Sequence, residues 1–239
     1  MWCLMANKQL QLFMLPYAGG NAFSFYKLSR CLDSRIEAIP VEYSGRGARA
    51  SEELISKYAD YLKDVSEFIN NHRNKEKQYG ILGYSFGSVL TYDLIRKKLI
   101  NGGIPQHVFF CAEGGLKHLG DQNKKNTLDN ESLFEEIKKL GGFSKKLLDN
   151  TDALKDVFSL IKNDFYAYRE FVYHKNTINF DCSIINSSSD FTAVCLEEWK
   201  EVAGKEIRYF QLGDNHFFIN DKFRELADIV NNKLLQFLY

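Results

Sequence analysis

Short apolar runs at residues 11–15, 36–42, 79–83, 107–112, 182–186 and 206–211 have strand length, and helical periods such as Leu54, Tyr58, Tyr61, Val65 and Phe68 lie between several of them. This alternation predicts an α/β fold: a mainly parallel sheet covered by helices, with right-handed crossovers bringing the strands' C-terminal ends to one edge. Between Cys111 and Cys182 lie roughly seventy residues, more than one crossover needs. Asn130 is placed to cap a helix carrying Leu133, Phe134, Ile137 and Leu140, which Gly141-Gly142 ends. Thr151 is placed to cap a second, with Leu154, Val157, Phe158, Ile161, Phe165, Tyr168 and Val172 on a helical period. The pattern therefore predicts one domain over 1–239 with a helical lid insert at about 115–178, a movable cover whose aromatic stripe either packs the insert or lines a passage beneath it.

One junction carries chemistry. The run Tyr79-Gly80-Ile81-Leu82 enters Gly83-Tyr84-Ser85-Phe86-Gly87, and a helical pattern leaves it. Gly-x-Ser-x-Gly between strand and helix is the pattern of a nucleophile elbow, in which flanking glycines let neighbouring backbone come close around a strained serine. Such a serine needs a base and an acid to orient that base, and α/β-hydrolases supply them in the order Ser, Asp or Glu, His. Asp190 follows the run ending at Asn186, and His216 follows the run ending at Leu212, so both sit on loops at strand ends. Ser85, Asp190 and His216 are the expected triad. Asp214 is a weaker candidate acid, because a carboxylate two residues from its histidine needs a tight local turn to reach Nδ1. His72 and His107 read as solvated, His118 and His174 as surface or packing residues, and Asp93 as surface charge.

Acyl transfer also needs donors for an oxyanion. The run Leu12-Phe13-Met14-Leu15 breaks at Pro16 into Tyr17-Ala18-Gly19-Gly20-Asn21, so the backbone N–H groups of Tyr17 and Phe86 are the expected pair, with Ala18 as the neighbouring alternative. Ala18, Tyr84 and Phe217 are the expected substrate-lining residues.

These motifs, with Gly45-Arg46-Gly47-Ala48-Arg49, Leu140-Gly141-Gly142 and His216-Phe217-Phe218, resemble the type II thioesterases, stand-alone editing enzymes of non-ribosomal peptide and polyketide synthases. The resemblance runs over nearly the whole chain. It implies an α/β-hydrolase fold, although six strands are fewer than the full eight. It also implies hydrolysis of acyl thioesters held on the phosphopantetheine arm of an acyl or peptidyl carrier protein, with no cofactor or metal of the enzyme's own. The family has histidine where Tyr17 and Tyr84 stand, proline at Ser44 and glycine at Asn215, departures that bear on the pocket mouth and substrate preference. A medium-chain fatty acyl thioesterase and a general carboxylesterase or lipase are the alternatives, since the same constellation serves several leaving groups. An intact Ser, Asp, His set argues against a silent binding module.

Bulk properties narrow the partners. Lys plus Arg and Asp plus Glu both number 31, so no global field favours nucleic acid or an anionic membrane. Lys138, Lys139, Lys145 and Lys146 nevertheless make a local basic cluster that suits an acidic carrier. Five scattered cysteines lack metal-site spacing and favour reduced thiols. The first six residues read as no signal sequence, and no run reaches membrane-spanning length. The expectation is a cytoplasmic, monomeric enzyme.

Overall fold

The computed structural model describes residues 8–123, 129–143, 145–175 and 178–238. Six strands, β1 (Leu10–Leu15), β2 (Ile36–Pro40), β3 (Gln78–Tyr84), β4 (His107–Cys111), β5 (Phe180–Asn186) and β6 (Gly204–Gln211), form one sheet in the order β2-β1-β3-β4-β5-β6. Every pairing is parallel. The helices are α1 (Tyr26–Ser29), α2 (Tyr58–His72), α3 (Phe86–Arg96), α4 (Leu116–Asn123), α5 (Asn130–Leu140), α6 (Lys145–Leu148), α7 (Thr151–Arg169), α8 (Trp199–Ala203) and α9 (Phe223–Leu234).

The strands read as continuous apolar runs because both faces of the sheet are covered. Alternate residues serve different cores: Phe13, Leu15, Ile81, Phe110 and Ile184 meet α2, α3 and α8, while Leu12, Met14, Leu82, Phe109 and Ile185 meet α1 and α9. Because β2 and β3 flank β1, the direction of winding reverses there, and loops at the carboxyl ends of β1 and β3 diverge to leave a crevice.

Between β4 and β5 the described residues include four helices, α4 to α7. Both helix caps fall one residue earlier than the sequence reading. Asp129, not Asn130, accepts from the Ser132 N–H at 2.8 Å, and Asn150, not Thr151, accepts from the Ala153 N–H at 3.1 Å. A side-chain oxygen at either position can satisfy a first-turn donor, and tertiary packing decides which one does. Gly141 ends α5 in the left-handed region, φ 84°, as expected. The aromatic stripe divides. Phe134 and Phe143 stack within the insert with Phe158 edge-on to both, while Phe165 and Tyr168 line the cavity described below.

Three side chains read as solvated or superficial behave otherwise. Asp93 is buried on α3 and ion-paired with Arg96 at 2.7 Å. His107 is buried in β4, its Nε2 2.9 Å from the Ser183 hydroxyl, and burial pushes its imidazole down to about 4. His118 lines a cavity described below. Leu54 lies outside α2 and is exposed. Cys31, Cys111, Cys182 and Cys195 are free thiols; Cys3 and the first six residues lie outside the described residues. No helix among the described residues is long and apolar enough to cross a membrane.

Candidate active site

Ser85 occupies the single-residue corner between β3 and α3 at φ 51°, ψ −113°, a conformation that a residue with a Cβ adopts only under strain. The surroundings hold it there. Its N–H donates to the Cys111 carbonyl at 2.8 Å, and the Ser88 hydroxyl is shared between the carbonyls of Gly83 (2.8 Å) and Cys111 (3.0 Å). The glycines are required by contact: a Cβ on Gly87 would sit 2.1 Å from the Leu15 carbonyl oxygen, and one on Gly83 would sit 2.4 Å from that of Gly87. Phe86 begins α3, so its N–H has no intrahelical acceptor and stands beside the serine.

Loops leaving β5 and β6 bring the acid and the imidazole together. Asp190 Oδ2 lies 2.7 Å from His216 Nδ1, and Asp190 Oδ1 accepts from the Thr192 N–H at 3.0 Å and hydroxyl at 2.6 Å. Burial alone would raise the Asp190 carboxyl, but the hydrogen bond and charge of His216, with the Thr192 donors, outweigh it and hold the carboxyl below its ordinary value. His216 Nε2 has no protein partner among the described residues, and His216 shares a cavity of about 280 Å³ with Ser85, Phe86 and Ala18. Asp214 is exposed and accepts from Asn215 Nδ2, its neighbour, at 3.2 Å.

The loop after β1 is fastened on several sides. Tyr43 donates to the Pro16 carbonyl at 2.9 Å, Arg46 to the Gly20 carbonyl at 3.2 Å, and the Gly19 N–H to Asp164 at 2.6 Å. Arg46 and Asp164, both buried, form a two-pronged pair at 2.6 and 2.7 Å, and both also bond the Tyr61 hydroxyl. Thus the Gly45-Arg46-Gly47 motif ties α7 to the loop carrying Tyr17 and Ala18.

The three expected substrate-lining residues part company. Ala18 lines the cavity. Tyr84 does not: it points to the opposite face of β3, fully buried, where its hydroxyl donates to the His216 carbonyl at 2.7 Å and accepts from the Ile219 N–H at 3.3 Å. It supports the histidine loop from below, because alternation along the strand puts it opposite Gly83. Phe217 packs its ring edge-on against Tyr17 and His216 and is absent from the cavity wall.

The cavity also holds residues that the sequence reading missed. Glu113, His118, Glu136, Phe191 and Thr192 line it. Glu113 follows the end of β4, so a lone acid just past an apolar run was its only sign. Burial pushes its carboxyl up to about 8, against hydrogen bonds from Tyr168 and the Gly114 N–H. Among the described residues no group of three His, Cys, Asp or Glu is placed to hold a metal ion.

Comparison with known proteins is consistent across the chain. The gramicidin S biosynthesis protein GrsT of Aneurinibacillus migulanus is 25% identical over 98% of this chain and 93% of its own length. The medium-chain S-acyl fatty acid synthase thioesterase of Anas platyrhynchos is 25% identical over 92% of this chain and 89% of its own. Among solved structures, ClbQ from the colibactin NRPS/PKS pathway superposes with a TM-score of 0.80 at 26% identity, covering 95% of this chain and 98% of that one. Residues 10–234 match the family model for the thioesterase domain, and the chain belongs to that family.

Proposed function

We propose that Ser85, His216 and Asp190 act as nucleophile, base and orienting acid in hydrolysing an acyl thioester carried on the phosphopantetheine arm of an acyl or peptidyl carrier protein. The observation that carries this reading is the strained Ser85 corner opening into the same cavity as His216, whose Nδ1 is held by Asp190 at 2.7 Å. With Nδ1 committed, Nε2 takes the serine proton as Oγ attacks the thioester carbonyl. The oxyanion forms at the N-terminus of α3, where the Phe86 N–H and the Tyr17 N–H supply donors. His216 returns the proton to the departing thiolate. Water, deprotonated by the same imidazole, then releases the acid and restores Ser85. A cavity of about 280 Å³ suits a short acyl group. The similarity to a gramicidin S biosynthesis protein, and to ClbQ from the colibactin NRPS/PKS pathway, supports a carrier-bound substrate and an editing role. The four free cysteines described suit a reducing cytoplasm. The similarity to medium-chain fatty acid synthase thioesterases favours one second reading, a longer acyl chain.

A fluorophosphonate probe should label the wild type at Ser85, and Ser85→Ala should abolish labelling and lower thioester turnover by about 10³-fold or more. Labelling of the variant at the wild-type level would place the nucleophile elsewhere.

A further inference from the structure

Glu113 has no task in the chemistry just described, yet it shares the cavity with Ser85 and His216 and is only 3% exposed. Its position is fixed at both ends of the residue. The backbone N–H donates to Asn186 Oδ1 and the carbonyl accepts from Asn186 Nδ2, each at 3.0 Å. Its carboxyl oxygens accept from the Tyr168 hydroxyl at 3.1 and 3.3 Å and from the Gly114 N–H at 3.0 Å. All of these partners can donate, which is the surrounding a carboxylate requires.

What the carboxylate lacks is a cation. Asp190, its acidic neighbour, has His216, and Glu136, also on the cavity wall, feels Arg169 and Lys139. Glu113 has no ion-pair partner among the described residues, and the charge of Asp190 disfavours its ionisation further. A buried carboxylate is costly unless it is paired and hydrogen-bonded, so burial leaves the group raised to about 8 and largely protonated at neutral pH. The cavity supplies the hydrogen bonds and leaves the charge to whatever enters.

We infer that Glu113 is a specificity residue which receives the ammonium group of an amine-bearing acyl chain, so that aminoacyl thioesters are preferred over apolar acyl thioesters of the same length. On binding, the carboxyl releases its proton to solvent and the ammonium keeps its own, giving an ion pair stiffened by Tyr168. An apolar chain instead sets methylene groups against a polar carboxyl and recovers nothing. The inference rests on Ser85 being the nucleophile only for its kinetic consequence; the binding preference belongs to the cavity.

The test compares butyryl, 2-aminobutyryl and 3-aminobutyryl thioesters of N-acetylcysteamine. Wild-type kcat/KM should favour at least one amine-bearing chain over butyryl by about tenfold or more, and Glu113→Gln should bring that ratio to about one. A wild-type ratio at or below one for both amine positions, or a ratio unchanged in Glu113→Gln, overturns the inference. Calorimetric binding of the amide-linked, non-hydrolysable analogues to Ser85→Ala separates it from the catalytic reading. Tighter binding of an amine-bearing analogue there, without turnover in the wild type, would sink the nucleophile assignment alone. Equal binding of the amine-bearing and butyryl analogues would sink the inference alone, and this comparison stands even if Glu113→Gln fails to fold.

Discussion

Asp190 and Asp214 carry the same chemistry on strand-end loops, yet only Asp190 reaches the imidazole, at 2.7 Å, while Asp214 faces solvent. Asp190→Asn should therefore lower kcat by orders of magnitude, up to about 10⁴-fold, because the amide holds the wrong tautomer, whereas Asp214→Asn should stay within a few-fold. Steady-state kinetics on one thioester decides it, and a reversed ranking would reassign the acid. Ser85, Asp190 and His216 could be put forward from the sequence because each sits where an apolar run breaks. Glu113 was not singled out, since its partners are remote in sequence: Tyr168, which bonds its carboxyl, lies 55 residues further on. That burial has a pH signature. Its folded pKa of about 8 lies above the ordinary 4.5, so the native state holds this proton more tightly than the unfolded chain. The contribution is whole below about 4.5 and is lost as pH rises through 8. Thermal unfolding should accordingly show wild type losing stability relative to Glu113→Gln between pH 5 and 8, and parallel curves would contradict the burial argument.

At the scale of elements, strand positions could be read from apolar runs because a parallel sheet buries both faces. The long-range bonds that tie the insert to the body could not. The sequence reading places a movable cover over about 115–178, and within that stretch α7 is fastened to the body. Asp164 pairs with Arg46 across 118 residues, Glu170 accepts from the Tyr58 N–H at 2.8 Å, and Asn163 donates to the Ile55 carbonyl. By contrast, α5 packs through Leu133 and Ile137 onto Phe143 and Ile161, a small cluster of its own. Asp164→Asn strips a buried guanidinium of its partner charge and should cost about 3–5 kcal/mol, with kcat falling because the Gly19 anchor is weakened. The double change Arg46→Met, Asp164→Leu should recover much of the stability, since no unpaired charge then remains, while leaving the loop after β1 without its anchor. Chemical denaturation of the three variants measures this; a cost below about 1 kcal/mol for Asp164→Asn would mean the pair is not a structural tie.

Across the whole molecule the net charge is zero, so attraction for a carrier protein has to come from local asymmetry. The cavity offers such a place. Lys138 and Lys139 end α5, Lys145 and Lys146 begin α6, and all four are exposed. The Lys139 ammonium stands 4.5 Å from the centre of the Phe191 ring, and Phe191 lines the cavity, so the cluster reaches the cavity of Ser85 through Lys139. A cavity of about 280 Å³ can discriminate only among small groups, which leaves the carrier and its arm to provide most of the binding energy. The same acyl group should thus be hydrolysed with a kcat/KM at least about tenfold higher on a carrier than on N-acetylcysteamine, and the advantage should shrink with added salt. Reversing Lys138, Lys145 and Lys146 to glutamate should erase that advantage through KM while leaving turnover of the small thioester near wild type, because none of the three side chains lines the cavity. Lys139 is left in place so that the ring contact at the rim is not disturbed. Equal efficiency on both substrates, or faster cleavage of a p-nitrophenyl ester than of either, would refute carrier recognition and favour an esterase. A carrier advantage that survives the three reversals would instead place docking on another face and leave the thioesterase reading intact.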